Sequence, residues 1–159
     1  MDQLRVFSWN LRGLGGKETR KHLREQIFAT KPVIVCLQET KMDFVSEEDL
    51  REVWLNTELG WEMQDSIENS GGMVTVWDSK IITCLGVLKW RYSLCCKLKW
   101  VSSGEEFILC NIYGPQTLEG KQSLLENLEN TMRGREDEKI LLIGDFDMTK
   151  NMGETLNCS

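Results

Sequence analysis

The chain has 159 residues, 41% of them hydrophobic, which is enough for one domain with a real core and too much for a disordered tail. Its 25 acidic and 19 basic residues leave a net charge of −6, which counts against a surface that binds nucleic acid everywhere and leaves room for a local basic rim at most. No apolar run approaches bilayer-spanning length and the opening MDQLRVFSWN lacks the pattern of a secretory signal, so an intracellular protein without a membrane partner is expected, nucleus or cytoplasm undecided.

Alternation from Leu4 to Trp9 predicts a strand, broken by Asn10-Leu11-Arg12-Gly13-Leu14-Gly15-Gly16 into a Gly-rich loop. Lys17 to Thr30 then carries Leu23, Ile27 and Phe28 at helical intervals, and Pro32 ends the helix. On that helix Lys17, Arg20, Lys21 and Arg24 read equally as a local basic rim or as an ordinary solvated face. Val33-Ile34-Val35-Cys36-Leu37 is a continuous apolar run, the signature of a strand covered on both faces. Strand, helix and strand in this order predict a parallel unit whose strand ends lie side by side, putting Asn10 and Glu39 on one rim.

Ser46 before Glu47, Glu48 and Asp49 reads as an N-cap with acids in the first turn, and Leu50, Val53, Trp54 and Leu55 give the following helix an apolar side. Beyond Gly60 the texture becomes strand-like, with strands predicted at Trp61–Gln64, Met73–Trp77, Ile81–Lys89, Leu94–Trp100 and Phe107–Ile112. Turns are expected at Ser70-Gly71-Gly72, Asp78-Ser79 and Ser102-Ser103-Gly104. Gly120 to Arg133 places Leu124, Leu125, Leu128 and Met132 at helical spacing, and Ile140-Leu141-Leu142-Ile143 is a last apolar strand running into Gly144-Asp145-Phe146-Asp147. Cys36, Cys84, Cys95, Cys96 and Cys110 lie in apolar, strand-like stretches without metal-binding spacing, so buried reduced thiols are expected. The adjacent Cys95 and Cys96 must point to opposite faces. No repeat, linker or low-complexity segment divides the chain, which reads as a single domain over residues 1–159.

Asn10, Glu39, Asp145 and Asp147 each follow an apolar strand. Any one of them alone reads as the start of a loop; together, with the strands ordered as above, they read equally as loop starts or as a convergent set of oxygen ligands suited to a hard cation such as magnesium.

The motifs themselves carry a resemblance. Ser8-Trp9-Asn10-Leu11-Arg12-Gly13-Leu14-Gly15, Leu37-Gln38-Glu39-Thr40-Lys41, Ser70-Gly71-Gly72-Met73 with Val76-Trp77, Asn111-Ile112-Tyr113-Gly114-Pro115 and Ile143-Gly144-Asp145-Phe146-Asp147 resemble, in order, five motifs of the endonuclease/exonuclease/phosphatase family. The likeness is to its plant-like LINE-type (non-LTR retrotransposon) endonucleases. It implies an α/β fold, a four-layer sandwich of two mixed β-sheets flanked by helices. This chain would supply the first sheet and the start of the second, leaving a sheet face bare. It implies a catalytic set of Asp145, Tyr113, Asn10 and Asp147, with Glu39 and Asn10 as ligands of Mg2+ or Mn2+. Tyr113 would stand near the scissile phosphate and Asp145 would orient or deprotonate water.

The implied activity is metal-dependent nicking of DNA to prime reverse transcription, with a reverse transcriptase region in the parent element as a partner. The rival readings are a non-catalytic retroelement remnant acting as an interaction module, and a small-substrate phosphatase or phosphodiesterase of the same fold. Two departures bear on this. The family has asparagine where this chain has Asp147, which adds negative charge and removes a donor. Its later Ser-Asp-His motif does not occur before Ser159, and the one histidine, His22, reads as a surface helix residue. A domain incomplete at its C-terminus and weak or absent nicking by this chain are therefore expected.

Overall fold

A computed structural model describes residues 3–12, 16–41, 45–56, 58–67 and 70–145. The elements in chain order are β1 (Val6–Asn10), α1 (Lys17–Thr30), β2 (Ile34–Gln38), α2 (Glu47–Val53), β3 (Leu59–Ile67), β4 (Ser70–Asp78), β5 (Ile82–Lys89), β6 (Ser93–Trp100), β7 (Glu106–Tyr113), α3 (Leu118–Met132) and β8 (Ile140–Asp145). They form two four-stranded sheets, β1-β2-β4-β3 and β5-β6-β7-β8. Each is mixed: β1 pairs in parallel with β2 and β7 with β8, and every other ladder is antiparallel. The second sheet is thus already four strands wide, more than the start expected from the sequence.

Three apolar clusters fix the layers. Ile34, Cys36, Met73 and Trp77 from the first sheet meet Leu94, Cys96, Leu98, Trp100, Phe107 and Leu109 from the second. The opposite face of the first sheet, Val35, Leu37, Val74 and Val76, is covered by Leu23 and Ile27 of α1 and Leu50 and Val53 of α2. Cys95, Ile108, Cys110 and Ile112 on the outer face of the second sheet pack on Leu124 and Leu128 of α3. The order is therefore helix, sheet, sheet, helix, the α/β sandwich expected. Side chains alternate across a strand, so Cys95 faces α3 while Cys96 faces the other sheet. The face expected to be bare is covered at its centre. Among the described strand residues, the exposed large apolar side chains are Leu85, Leu88, Leu141 and Leu142, on the edge strands β5 and β8.

Local signals explain most element ends. Ser46 accepts from the Asp49 backbone while Asp49 accepts from the Ser46 backbone, a capping box that starts α2. Lys31 in a left-handed conformation closes α1 and bonds back to Ile27 before Pro32. Four apolar residues that spacing alone puts on helix faces lie elsewhere: Phe28 is 78% exposed, Leu55 is equally exposed because α2 ends at Val53, and Leu125 and Met132 sit beside the buried stripe of α3 rather than in it. Ser70-Gly71-Gly72, read as a turn, is the beginning of β4 and pairs with β3. Gly71 and Gly72 have φ of 74° and 87°, and their carbonyls accept from Lys41 and Thr40. The two glycines therefore extend the β2–β4 pairing past the end of β2 by a bend that a residue with a Cβ adopts only under strain. Among the described residues no helix is long and apolar enough to cross a membrane.

Candidate active site

Parallel registration puts the carboxyl ends of β1 and β2 side by side, with Asn10 opposite Gln38, and does the same for β7 and β8, with Tyr113 opposite Asp145. Packing one sheet on the other then brings the four strand ends to one rim. The Asn10 amide Nδ2 donates to Asp145 Oδ2 at 2.7 Å, across 135 residues of sequence. The Tyr113 hydroxyl donates to Glu39 Oε1 at 3.0 Å, across 74 residues. Each hydrogen bond joins one sheet to the other, so the rim is assembled only when the sandwich is. Asn10, Glu39, Tyr113 and Asp145, four of the five site residues read from the sequence, are brought together in this way. The fifth, Asp147, lies outside the described residues.

The backbone at the rim is held in unusual conformations. Arg12, Glu39 and Lys41 have φ of 55°, 51° and 55°, in the left-handed region that non-glycine residues seldom adopt. Strain of this kind persists only where surrounding structure enforces it. Here the enforcing bonds are visible: the Arg12 amide donates to Asn10 Oδ1 at 3.2 Å, Leu11 to the Gln38 carbonyl at 2.9 Å, and Thr40 and Lys41 to the β4 glycines. The first of these also orients the Asn10 carboxamide, oxygen toward Arg12 and nitrogen toward Asp145. Gly144, with φ of 142°, lets β8 pass so close to β7 that a Cβ would lie 2.0 Å from the Ile112 carbonyl oxygen. That approach sets the position of Asp145, whose carbonyl accepts from the Gly114 amide.

Burial, the hydrogen bond to Glu39 and the negative charges of Glu39 and Asp145 push the Tyr113 phenol up to about 12. It is therefore a firm proton donor at neutral pH and no reservoir of phenolate. The donors of the rim are two carboxylates and a carboxamide oxygen, with no thiol or imidazole. Among the described residues no group of three or more His, Cys, Asp or Glu is placed to hold an ion. In chemistry the all-oxygen donors of the rim suit a hard divalent cation, which is commonly bound through one or two carboxylates and water.

Beneath the rim lies a network that sequence reasoning gave no role. Gln38 Nε2 donates to Asn111 Oδ1 at 2.8 Å and to Ser8 Oγ at 3.1 Å, and Asn111 Nδ2 donates to the Val74 carbonyl and Thr75 Oγ1 at 3.1 and 3.2 Å. Gln38, Thr75 and Asn111 are all buried. The available signal was the lone amide in each apolar run, Gln38 after Leu37 and Asn111 between Cys110 and Ile112. His22 is exposed on α1 and stacks edge-on against Trp9 at 4.8 Å, in keeping with its surface reading.

A model of the Endonuclease/Exonuclease/phosphatase family matches residues 7–157. The human Nocturnin catalytic domain with bound sulfate superposes with a TM-score of 0.65 at 21% identity, over 90% of this chain and 64% of that one. D. rerio TDP2 complexed with a single-strand DNA product gives 0.69 at 13%, over 94% and 64%. The Bacteroides thetaiotaomicron mannosyl-6-phosphatase Bt3783 gives 0.62 at 14%, over 91% and 65%. At these identities the likeness is one of fold, and the chain spans less than two thirds of the length of each. No curated protein matches the chain by sequence.

Proposed function

Because the chain belongs to the endonuclease/exonuclease/phosphatase family, we propose that its rim is the core of a divalent-metal-dependent phosphodiester hydrolase acting on DNA, of the LINE-type retrotransposon kind. The observation that carries this reading is the pair of inter-sheet hydrogen bonds, Asn10 to Asp145 and Tyr113 to Glu39, which gathers acid, amide and phenol at one place. The order of the five motifs supports the LINE-type assignment, and the similar fold of the DNA-product complex of TDP2 is consistent with a nucleic-acid substrate.

In this reading Glu39 and the Asn10 carboxamide oxygen hold Mg2+ or Mn2+. The ion, when bound, polarises a phosphoryl oxygen and steadies the leaving oxygen. Asn10 presents its oxygen because the Arg12 amide fixes the orientation of its side chain, and a carbonyl oxygen has a second lone pair to offer. Asp145, anchored through one carboxylate oxygen by Asn10, keeps the other for the attacking water. It orients that water and takes up its proton as the water oxygen bonds to phosphorus and the ester bond to the leaving oxygen breaks, the departing alkoxide taking a proton from solvent; this is a positioned-base role worth about a hundredfold or more. Tyr113 remains protonated, and its single O–H turns from Glu39 to a phosphate oxygen when substrate binds, a donor in the place where negative charge grows. Asp147 takes part in the same set by family position.

The test is nicking of supercoiled plasmid by the purified chain with Mg2+, with EDTA, and by Glu39→Ala. Weak nicking that needs both the metal and Glu39 is expected. Nicking that survives either control assigns the activity elsewhere, and none from folded protein favours a non-catalytic remnant. A second reading, hydrolysis of a small phosphate ester, draws on the net charge of −6 and on the fold shared with a mannosyl-6-phosphatase. It predicts turnover of sugar phosphates but not of plasmid.

A further inference from the structure

Tyr113 has a second face to its surroundings. Besides its hydrogen bond to Glu39, it lines a cavity of about 220 Å³ together with Asp65, Gly71, Arg91, Tyr92 and Pro115. We propose that this cavity is a subsite for the nucleotide that adjoins the cleaved phosphodiester, with Arg91 neutralising its phosphate and Tyr92 walling its sugar or base. The position of the cleaved bond rests on the hydrolase reading above; the binding chemistry does not.

The cavity is fixed relative to the rim by backbone bonds. Trp90 donates to the Ser93 carbonyl at 2.9 Å, closing the β5–β6 turn that carries Arg91. Tyr113 donates to the Tyr92 carbonyl at 3.0 Å, tying that turn to the end of β7. The Arg91 guanidinium lies 5.3 Å from the centre of the Tyr92 ring, and Arg91 makes no ion pair among the described residues. An exposed arginine held over an aromatic ring without an acidic partner keeps its donors for an anion. On an acidic chain, that charge is local rather than part of a general basic surface.

Two features select a nucleotide over a phosphomonoester. The rim takes one phosphate beside Tyr113 and Arg91 takes another, which requires a substrate with successive phosphates, as in a nucleic-acid strand. Asp65 in the wall repels a phosphate from the interior and accepts from hydroxyl or amino groups, so the interior suits the sugar or base. The volume is below the roughly 300–1,000 Å³ of pockets for drug-sized ligands, which suits a single such unit. Aromatic walls combined with local cations are the usual recipe for holding single strands.

The experiment is fluorescence anisotropy of a labelled short single-stranded oligodeoxynucleotide with the full chain in EDTA, so that hydrolysis plays no part. Arg91→Ala is expected to weaken binding about tenfold and to lower the magnitude of the logarithmic salt slope by about 0.7, the loss of one phosphate contact on a single strand. Arg91→Lys recovers part of both. Lys80→Ala, which removes an exposed charge beyond the opposite end of β4, is expected to change neither. No binding by the wild-type chain, or equal effects of Arg91→Ala and Lys80→Ala, overturns the subsite. Arg91-dependent binding by a chain that never nicks plasmid retains the subsite and removes the hydrolase. Metal-dependent nicking indifferent to Arg91 does the reverse.

Discussion

Asn111→Ala probes what holds the two sheets in register under the rim. Asn111 is 0% exposed in β7, yet its partners Leu37, Gln38, Val74 and Thr75 all belong to the first sheet. Its amide oxygen accepts from Gln38 at 2.8 Å, and its nitrogen donates at 3.1 and 3.2 Å to Val74 and Thr75 and at 3.4 Å to Leu37. Three good bonds at about 0.5–1.5 kcal/mol net each, plus about 1 kcal/mol for the void left by an amide, give a loss of about 2.5–5.5 kcal/mol. Gln38 limits it, because its amide keeps Ser8 and the Cys36 carbonyl as partners.

Urea unfolding followed by circular dichroism reads this loss directly from the midpoint at constant slope. Asn111→Asp supplies the polar control: it turns the donor that faces two carbonyls into an acceptor. Burial raises that carboxyl above its unfolded value, so stability is retained below about pH 4 and falls as pH rises through the raised folded pKa. A loss under about 0.5 kcal/mol for Asn111→Ala, or an Asn111→Asp stability that does not fall with pH, would refute the idea that this amide joins the sheets.

Three further outcomes follow from other residues. The phenolate absorbance of Tyr113, taken as the difference between wild type and Tyr113→Phe, should titrate near 12; because the folded value is raised, its stabilising contribution is present below about pH 10 and disappears as pH rises through 12. Titration at the ordinary tyrosine value removes the bond to Glu39 in solution. Cys84 is only half-buried, and its contact with the Cys96 thiol lowers it to about 7, whereas burial raises Cys36 to about 12. Alkylation mapped by mass spectrometry should therefore label Cys84 with a half-maximal rate near pH 7 and leave Cys36 unlabelled until the protein unfolds; the opposite order contradicts the packing. Gly144→Ala, which forces a Cβ into the Ile112 carbonyl, should destabilise the chain by about 2 kcal/mol or more and displace Asp145. Unchanged thermal unfolding speaks against so close a β7–β8 approach.

The strands and helices were legible because the chain signals them by period and punctuation. The Leu23 and Ile27 spacing, the Ser46 cap and the unbroken apolar run at Val33–Leu37 each reflect a local physical preference, and each found its element. Asn10, Glu39 and Asp145 were legible as strand-end polar residues and Tyr113 only through the family likeness, and the structure places the four together. Pairwise contacts were not legible. That Asn10 meets Asp145 and Tyr113 meets Glu39 depends on how one sheet packs on the other, which no local pattern encodes. Glycine marks positive φ without saying whether pairing continues through it, so Gly71-Gly72 reads as a turn from sequence although it lies within β4. Spacing alone puts Phe28 and Leu55 on helix faces, because it does not show where a neighbouring layer ends.

In the proposed function Glu39 and Asn10 hold a divalent cation at this rim. Electron paramagnetic resonance of Mn2+ added to the purified chain tests it without reference to turnover. A bound-ion signal is expected that Mg2+ competes away and that Glu39→Ala abolishes, with Asn10→Ala weakening it. Mn2+ that stays free in the presence of folded protein, or that binds Glu39→Ala as it binds the wild type, contradicts the account.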